Sequence, residues 1–200
     1  MLTLIIVITT SIISIIAFNK TDLFNKYQLN PYLIYHKKQY YRLLSHGFLH
    51  TGWLHLIVNM LVFYSFGNAV EIYFKRVFIY PNLYFLLLYF GGILISTLTT
   101  LIKYKNDHLY NAVGASGAVS AIVFTSIFFN PWNKIYFYGI IGIPGILLGV
   151  IYLIYSYYMS KKDIDNINHN AHFIGAVFGL VFPCIIDYNL FWLFINQLFN

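Results

Sequence analysis

Residues 112–129 read AVGASGAVSAIVFTSIFF, 18 residues without a single Asp, Glu, Lys or Arg. An apolar run of that length suits a helix crossing a bilayer, where about 20 residues cover the ~30 Å hydrocarbon core. Working outward, five more runs of this kind appear: 2–18, 49–70, 80–102, 135–158 with Pro144 inside it, and 170–186, expected to be broken late by Pro183. The pattern predicts an all-α, polytopic membrane protein, a six transmembrane helix bundle forming a single domain over 1–200. The first run has no Lys or Arg before it and no small-residue cleavage site after it, so it reads as an uncleaved anchor. The apolar tail Leu190–Phe199 is too short to span, and is expected to continue the sixth helix or lie at the interface.

The composition agrees. The chain is 60% hydrophobic and 9% charged, with a mean hydropathy of +0.69, whereas soluble chains run near 45–50% apolar and about 25% charged. A disordered tail, a collagen-like repeat and a disulfide scaffold are excluded, the last because Cys184 is the sole cysteine. The formal charge is +6, but the basic residues sit in short clusters between apolar runs and form no stripe. That favours lipid headgroups over nucleic acid as the anionic partner. The Asn19–Phe48 connection alternates aromatic and basic residues and is expected to rest on the membrane surface. All six carboxylates are expected in loops or at span ends.

Polar residues within spans are the informative ones, since each costs free energy unless partnered. On the second span His46, His50, His55 and Asn59 follow an H-x3-H-x4-H-x3-N pattern. His55 and Asn59, four apart, share a face. A lone intramembrane His is usually an interhelical hydrogen bonder; three with an Asn on one helix are less readily explained so. On the fourth, Gly114-Ala115-Ser116-Gly117 taken alone reads as helix packing. On the sixth, His172, Gly175 and Gly179 lie on one stripe, where glycines let a neighbouring helix approach to backbone contact. If that neighbour is the fourth helix, Ser116 and His172 come within hydrogen-bond reach.

These segments together resemble the rhomboid family of intramembrane serine proteases. The likeness runs from about Tyr41 to Gly179. It includes Tyr41-Arg42 where the family usually shows Trp-Arg, the His-rich second helix ending in Gly67-Asn68-Ala69-Val70-Glu71, then Gly114-Ala115-Ser116-Gly117, then Ala171-His172 with its glycines. The resemblance implies Ser116 as nucleophile and His172 as general base, with no acidic third member. His55, Asn59 and the Ser116 backbone N–H would form an oxyanion hole. His50 is expected to shape a water-accessible cavity and Arg42 to anchor the loop before the second helix, with Gly114, Gly117, Gly175 and Gly179 supporting the site. Some members carry, four residues after the nucleophile, an aromatic ring that stacks on the catalytic His; here Ser120 stands, free to bond to the imidazole or to a water.

The resemblance also implies transmembrane protein substrates, membrane lipid as surroundings, a multi-pass location in a bacterial cell (inner) membrane, and neither cofactor nor metal. A helical substrate must unwind before cleavage, which favours Gly, Pro or Ala near its membrane end. The fifth helix would be a side gate, and Pro144 with Gly139, Gly142, Gly145 and Gly149 suits a helix that bends. Orientation is contested. Nine Lys and Arg fall in the first, third and fifth loops against three in the second and fourth, which puts the first loop in the cytoplasm. The family places it outside, and that orientation is followed, because interface-bound loops hold lysines without setting topology. The rivals are a metal-site protein built on His46 and His50, which lacks H-E-x-x-H, and a non-catalytic rhomboid-like protein or small transporter.

Overall fold

The computed structural model describes every residue except Tyr138, Gly139, Asp163, Asn166 and Asn200. The first apolar run forms α1 (Leu2–Phe18). The surface connection folds into α2 (Thr21–Tyr27), α3 (Pro31–Lys37), α4 (Arg42–Ser45) and a 3-10 turn over His46–Phe48. Asn30 caps α3 by accepting from Leu33 N–H, and Pro31 takes its first turn, where a missing N–H is harmless. Then follow α5 (Trp53–Val77), α6 (Pro81–Lys103) and α7 (Ser116–Phe129). A hairpin of β1 (Lys134–Phe137) and β2 (Ile141–Pro144), α8 (Gly145–Met159), α9 (His169–Ile186) and α10 (Asn189–Phe199) complete the chain.

The architecture is a mostly helical bundle of the expected class. By length and composition α5, α6 and α9 are able to cross a membrane, while α1, α7 and α8 are shorter apolar helices. A helix apolar all round belongs in the middle of a bundle. So it is with α7, buried from Gly117 through Ile122 and from Phe124 through Phe129, and packed on α5, α6 and α9. Phe63, Phe74, Phe85, Leu88, Tyr89, Ile122 and Phe128 fill the core around it.

Three expectations are corrected. Residues 135–158 do not form one helix: the first part pairs as an antiparallel hairpin, with Ile135 opposite Ile143 and Tyr136 opposite Gly142. Proline disfavours helical backbone in the residue before it, so the helix begins only after Pro144. The second helix runs on to Val77, which places Glu71 inside it, buried rather than at an exposed end. Its carboxylate accepts from the backbone N–H and hydroxyl of Thr3 at 2.6 and 2.7 Å, tying α1 to α5.

The sixth helix, finally, is not broken by Pro183. Proline leaves the carbonyl of Gly179 without its helical donor, and the Thr125 hydroxyl of α7 donates to that oxygen at 2.8 Å. A neighbouring hydroxyl thus replaces the lost bond. The chain turns at Asp187, and the tail is a separate helix, α10.

Candidate active site

Helices α7 and α9 touch backbone to backbone. A Cβ at Gly175 would collide with the Gly117 carbonyl oxygen and lie 2.8 Å from its carbonyl carbon. One at Gly179 would meet the Ala121 carbonyl in the same way. At Gly117 the room is already taken by Ser96 of α6 and, at 3.4 Å, by the Ala171 carbonyl. Ser116 is the first residue of α7 and His172 lies one turn before Gly175, so this seam brings both to one end of the helix pair. Both line a cavity of about 1490 Å³, together with His55, Asn59, Ser120, Tyr152 and His169. Among the described residues no hydrogen bond joins Ser116 to His172 directly; such bonds in unliganded sites often tighten only when substrate is bound.

The local backbone aims Ser116. Gly114 has φ +120°, a conformation that side chains rarely adopt, and its N–H donates to the His46 carbonyl at 3.0 Å. The turn delivers the chain into α7 with Ser116 at its start, where backbone N–H groups lack intrahelical partners and the helix dipole is positive. A side-chain hydroxyl and an unpartnered helix-start N–H thus come from the same residue.

His55 reaches over this turn: a Cβ at Gly114 would lie 3.1 Å from its Nε2. Its Nδ1 receives the Thr51 backbone N–H at 3.5 Å and faces the Thr51 hydroxyl at 3.1 Å. A backbone N–H only donates, so Nδ1 is the acceptor and the neutral ring carries its proton on Nε2, towards Gly114. Asn59 donates from Nδ2 to the His55 carbonyl at 2.9 Å, which leaves the second amide hydrogen for the cavity.

His50 does not line the cavity as expected. It is fully buried, with Nδ1 2.9 Å from the Ser14 hydroxyl, which in turn donates to the Phe48 carbonyl. It acts at one remove, edge-on to the His55 ring at 4.8 Å between centroids. Arg42 is buried and does tie down the loop, donating to the carbonyls of Asn25 and Gln28 and to the Gln39 amide oxygen. His46, Nδ1 turned to the Arg42 carbonyl, is held near pKa 4, chiefly by burial, with that hydrogen bond opposing. The Nδ1 atoms of His46 and His50 are thus turned to different partners, the Arg42 carbonyl and the Ser14 hydroxyl.

Further contributors escaped the sequence reading. The hydroxyl of Ser120 lies 2.8 Å from that of Tyr152 on α8 rather than on the His172 imidazole. The Tyr152 ring lies nearly parallel to the His172 imidazole, 6.4 Å between centroids at 16°. Asn168 caps α9 by accepting from Ala171 N–H and donates to Thr100, fixing the turn that carries His172. An Asn just before a helical pattern is a readable cap signal. Asp165 meets the buried His169 ring at 3.0 Å, and that bond holds its carboxyl below the ordinary range. The supposed gate residues are also reassigned. Pro144 precedes α8 rather than bending it, Gly142 lies in the hairpin, and Gly145 and Gly149 pack on Ile127 of α7. Gly139 is outside the described residues.

Known proteins resemble this chain in sequence. A family model described as the rhomboid domain matches residues 37–189. The chain is 27% identical over 154 residues to RHOMBOID-like protein 12, mitochondrial, of Arabidopsis thaliana, covering 70% of this chain and 44% of that one. It is 29% identical over 157 residues to Rhomboid-related protein 1 of Caenorhabditis elegans, covering 75% and 41%. Against Rhomboid protease GluP of Bacillus subtilis it is 29% identical over 141 residues, covering 70% and 25%. The chain therefore spans less than half the length of each of these relatives.

Proposed function

The chain belongs to the rhomboid family, and from that premise we propose that it is an intramembrane serine endopeptidase acting through Ser116 and His172. The observation that supports the proposal is the glycine seam, which brings Ser116 and His172 to one end of the α7–α9 pair, where both line one cavity with His55 and Asn59. Ser116 Oγ attacks the scissile carbonyl as its proton passes to His172, which later protonates the leaving amine. The developing oxyanion is met by His55 Nε2–H, the Asn59 amide and the Ser116 N–H, groups fixed before the substrate arrives.

Substrates in this reading are membrane-spanning segments. The cavity is walled by Val58, Val62 and Phe66 of α5 and by Leu148 and Gly149 of α8, apolar surfaces suited to a helix arriving through lipid. Segments weakened by Gly, Pro or Ala are preferred, because the scissile strand must give up its helical bonds. The family is membrane-embedded. A bacterial cell membrane is the proposed location, supported by the Bacillus relative and tested by fractionation.

The decisive experiment is cleavage of a model transmembrane substrate in proteoliposomes by the wild type, Ser116→Ala and His172→Ala. Both variants are expected to be inactive while remaining folded. Normal cleavage by Ser116→Ala would return the chain to the non-catalytic membrane proteins of its fold.

A further inference from the structure

We propose that Tyr152 is the positioning residue of His172, and that it makes the alignment of the base depend on where α8 sits. The proposal rests on the protease reading above.

Among the described residues His172 has no side-chain hydrogen bond to hold its imidazole. Packing must orient it, and two rings adjoin it: His169, steeply inclined at 74°, and Tyr152, nearly parallel at 16°. Offset near-parallel rings at such separations attract and restrict one another's rotation. Tyr152 is itself fixed at two points, by the Ser120 hydroxyl at 2.8 Å and by the Phe124 ring at 5.6 Å. Ser120 lies one turn after Ser116 on the same helix, so the chain of contacts runs from the nucleophile's helix, through Tyr152, to the base. The serine that departs from the family's aromatic position is the tether for an aromatic ring supplied by another helix.

The change of helix has a mechanical consequence. An aromatic residue on α7 would be held by the most buried helix of the bundle. Tyr152 instead belongs to α8, whose Val150, Ile151, Ile154, Tyr155, Tyr157 and Tyr158 are exposed and whose Leu148 and Gly149 wall the cavity. A substrate segment that displaces α8 draws the ring off His172 and breaks the contact with Ser120. The base regains its orientation when α8 returns, so productive geometry is coupled to closure around the substrate.

The experiment measures kcat and KM for transmembrane-substrate cleavage in proteoliposomes, with fluorophosphonate labelling of Ser116 as a readout needing no substrate. Tyr152→Leu is expected to lower kcat and the labelling rate roughly tenfold or more with KM nearly unchanged, the signature of a group acting on the chemical step. Tyr152→Phe keeps the ring and is expected to restore most of kcat. It should match Ser120→Ala, and the double variant should be no worse than either single one, because both remove the same bond. If Tyr152→Leu is not recovered folded, Tyr152→Met, which fills space without a ring, decides by the same rule. Wild-type kcat and labelling in the ringless variant, with Ser116→Ala inactive, would overturn the positioning role alone. Cleavage by Ser116→Ala would overturn the protease reading itself.

Discussion

Replacing Gly175 by alanine tests the geometry most directly. Its new Cβ would meet the Gly117 carbonyl group head-on, 2.8 Å from the carbon and 3.0 Å from Cα, against backbone that no rotamer change moves aside. Ordinary carbon contacts begin near 3.4–4 Å, so α9 must retreat from α7 by on the order of 1 Å. Overpacking of this kind costs about 1–3 kcal/mol of stability. His172, one turn away, moves with the helix while Ser116 stays. A misplacement of about 1 Å is enough for a ~100-fold loss of rate, equivalent to about 2.7 kcal/mol in the barrier. The assay is kcat for a transmembrane substrate in proteoliposomes, alongside thermal unfolding of the same preparation. Gly52→Ala is the control, since nothing lies within 4 Å of a Cβ there. The expected result is a large fall in kcat for folded Gly175→Ala and little change for the control. Should Gly175→Ala cleave at the wild-type rate, close backbone approach is not what sets the dyad.

Three further outcomes are expected. His55→Ala removes one proposed oxyanion donor and should lower kcat by about 10²–10³ with a small effect on KM, whereas Thr51→Val, which loses the hydroxyl contact to Nδ1 but keeps the backbone N–H that sets the tautomer, should cost much less. Arg42→Met strips the carbonyls of Asn25 and Gln28 of their donor, at about 0.5–1.5 kcal/mol for each of these part-buried bonds lost; a lower melting temperature and faster proteolysis within residues 19–48 would register it. His46, held near 4 against an ordinary value of 6.5, takes up its proton more readily when unfolded. Stability should therefore be fully present above about pH 6.5 and fall as pH drops towards 4, by up to roughly 3 kcal/mol, and a melting series with His46→Asn should lose most of that slope.

Sequence alone carried the bundle. Long uncharged runs such as 112–129 favour helices sheltered by lipid or by other helices, and the glycines of α9 fall on one stripe whatever they pack against. Ser116, His172, His55 and Asn59 stood out as candidates for a related reason. Polar groups in apolar spans are costly, so the few present draw notice. Arg42 entered through the family resemblance, and the structure gives it three hydrogen bonds within the loop. The hairpin before α8 was not, because alternation in IYFYGIIGIP is masked by apolar residues on both faces, and only the effect of Pro144 on its predecessor hinted at a break. Nor was the buried position of Glu71, whose partner Thr3 lies 68 residues away.

What only tertiary structure decided was which surfaces meet. Helical periodicity fixes the face on which a residue lies but says nothing of the crossing of one helix with another. Ser120 therefore read as a hydroxyl free to bond the imidazole or a water. Packing α8 against α7 and α9 turns it into the anchor of Tyr152, one of 19 tyrosines with no distinguishing neighbours in the chain. His50, read as a wall of the cavity, is directed by the fold of α1 to Ser14 instead. The sequence settled which residues are chemically able to act; the helix crossings settled which of them reach one another.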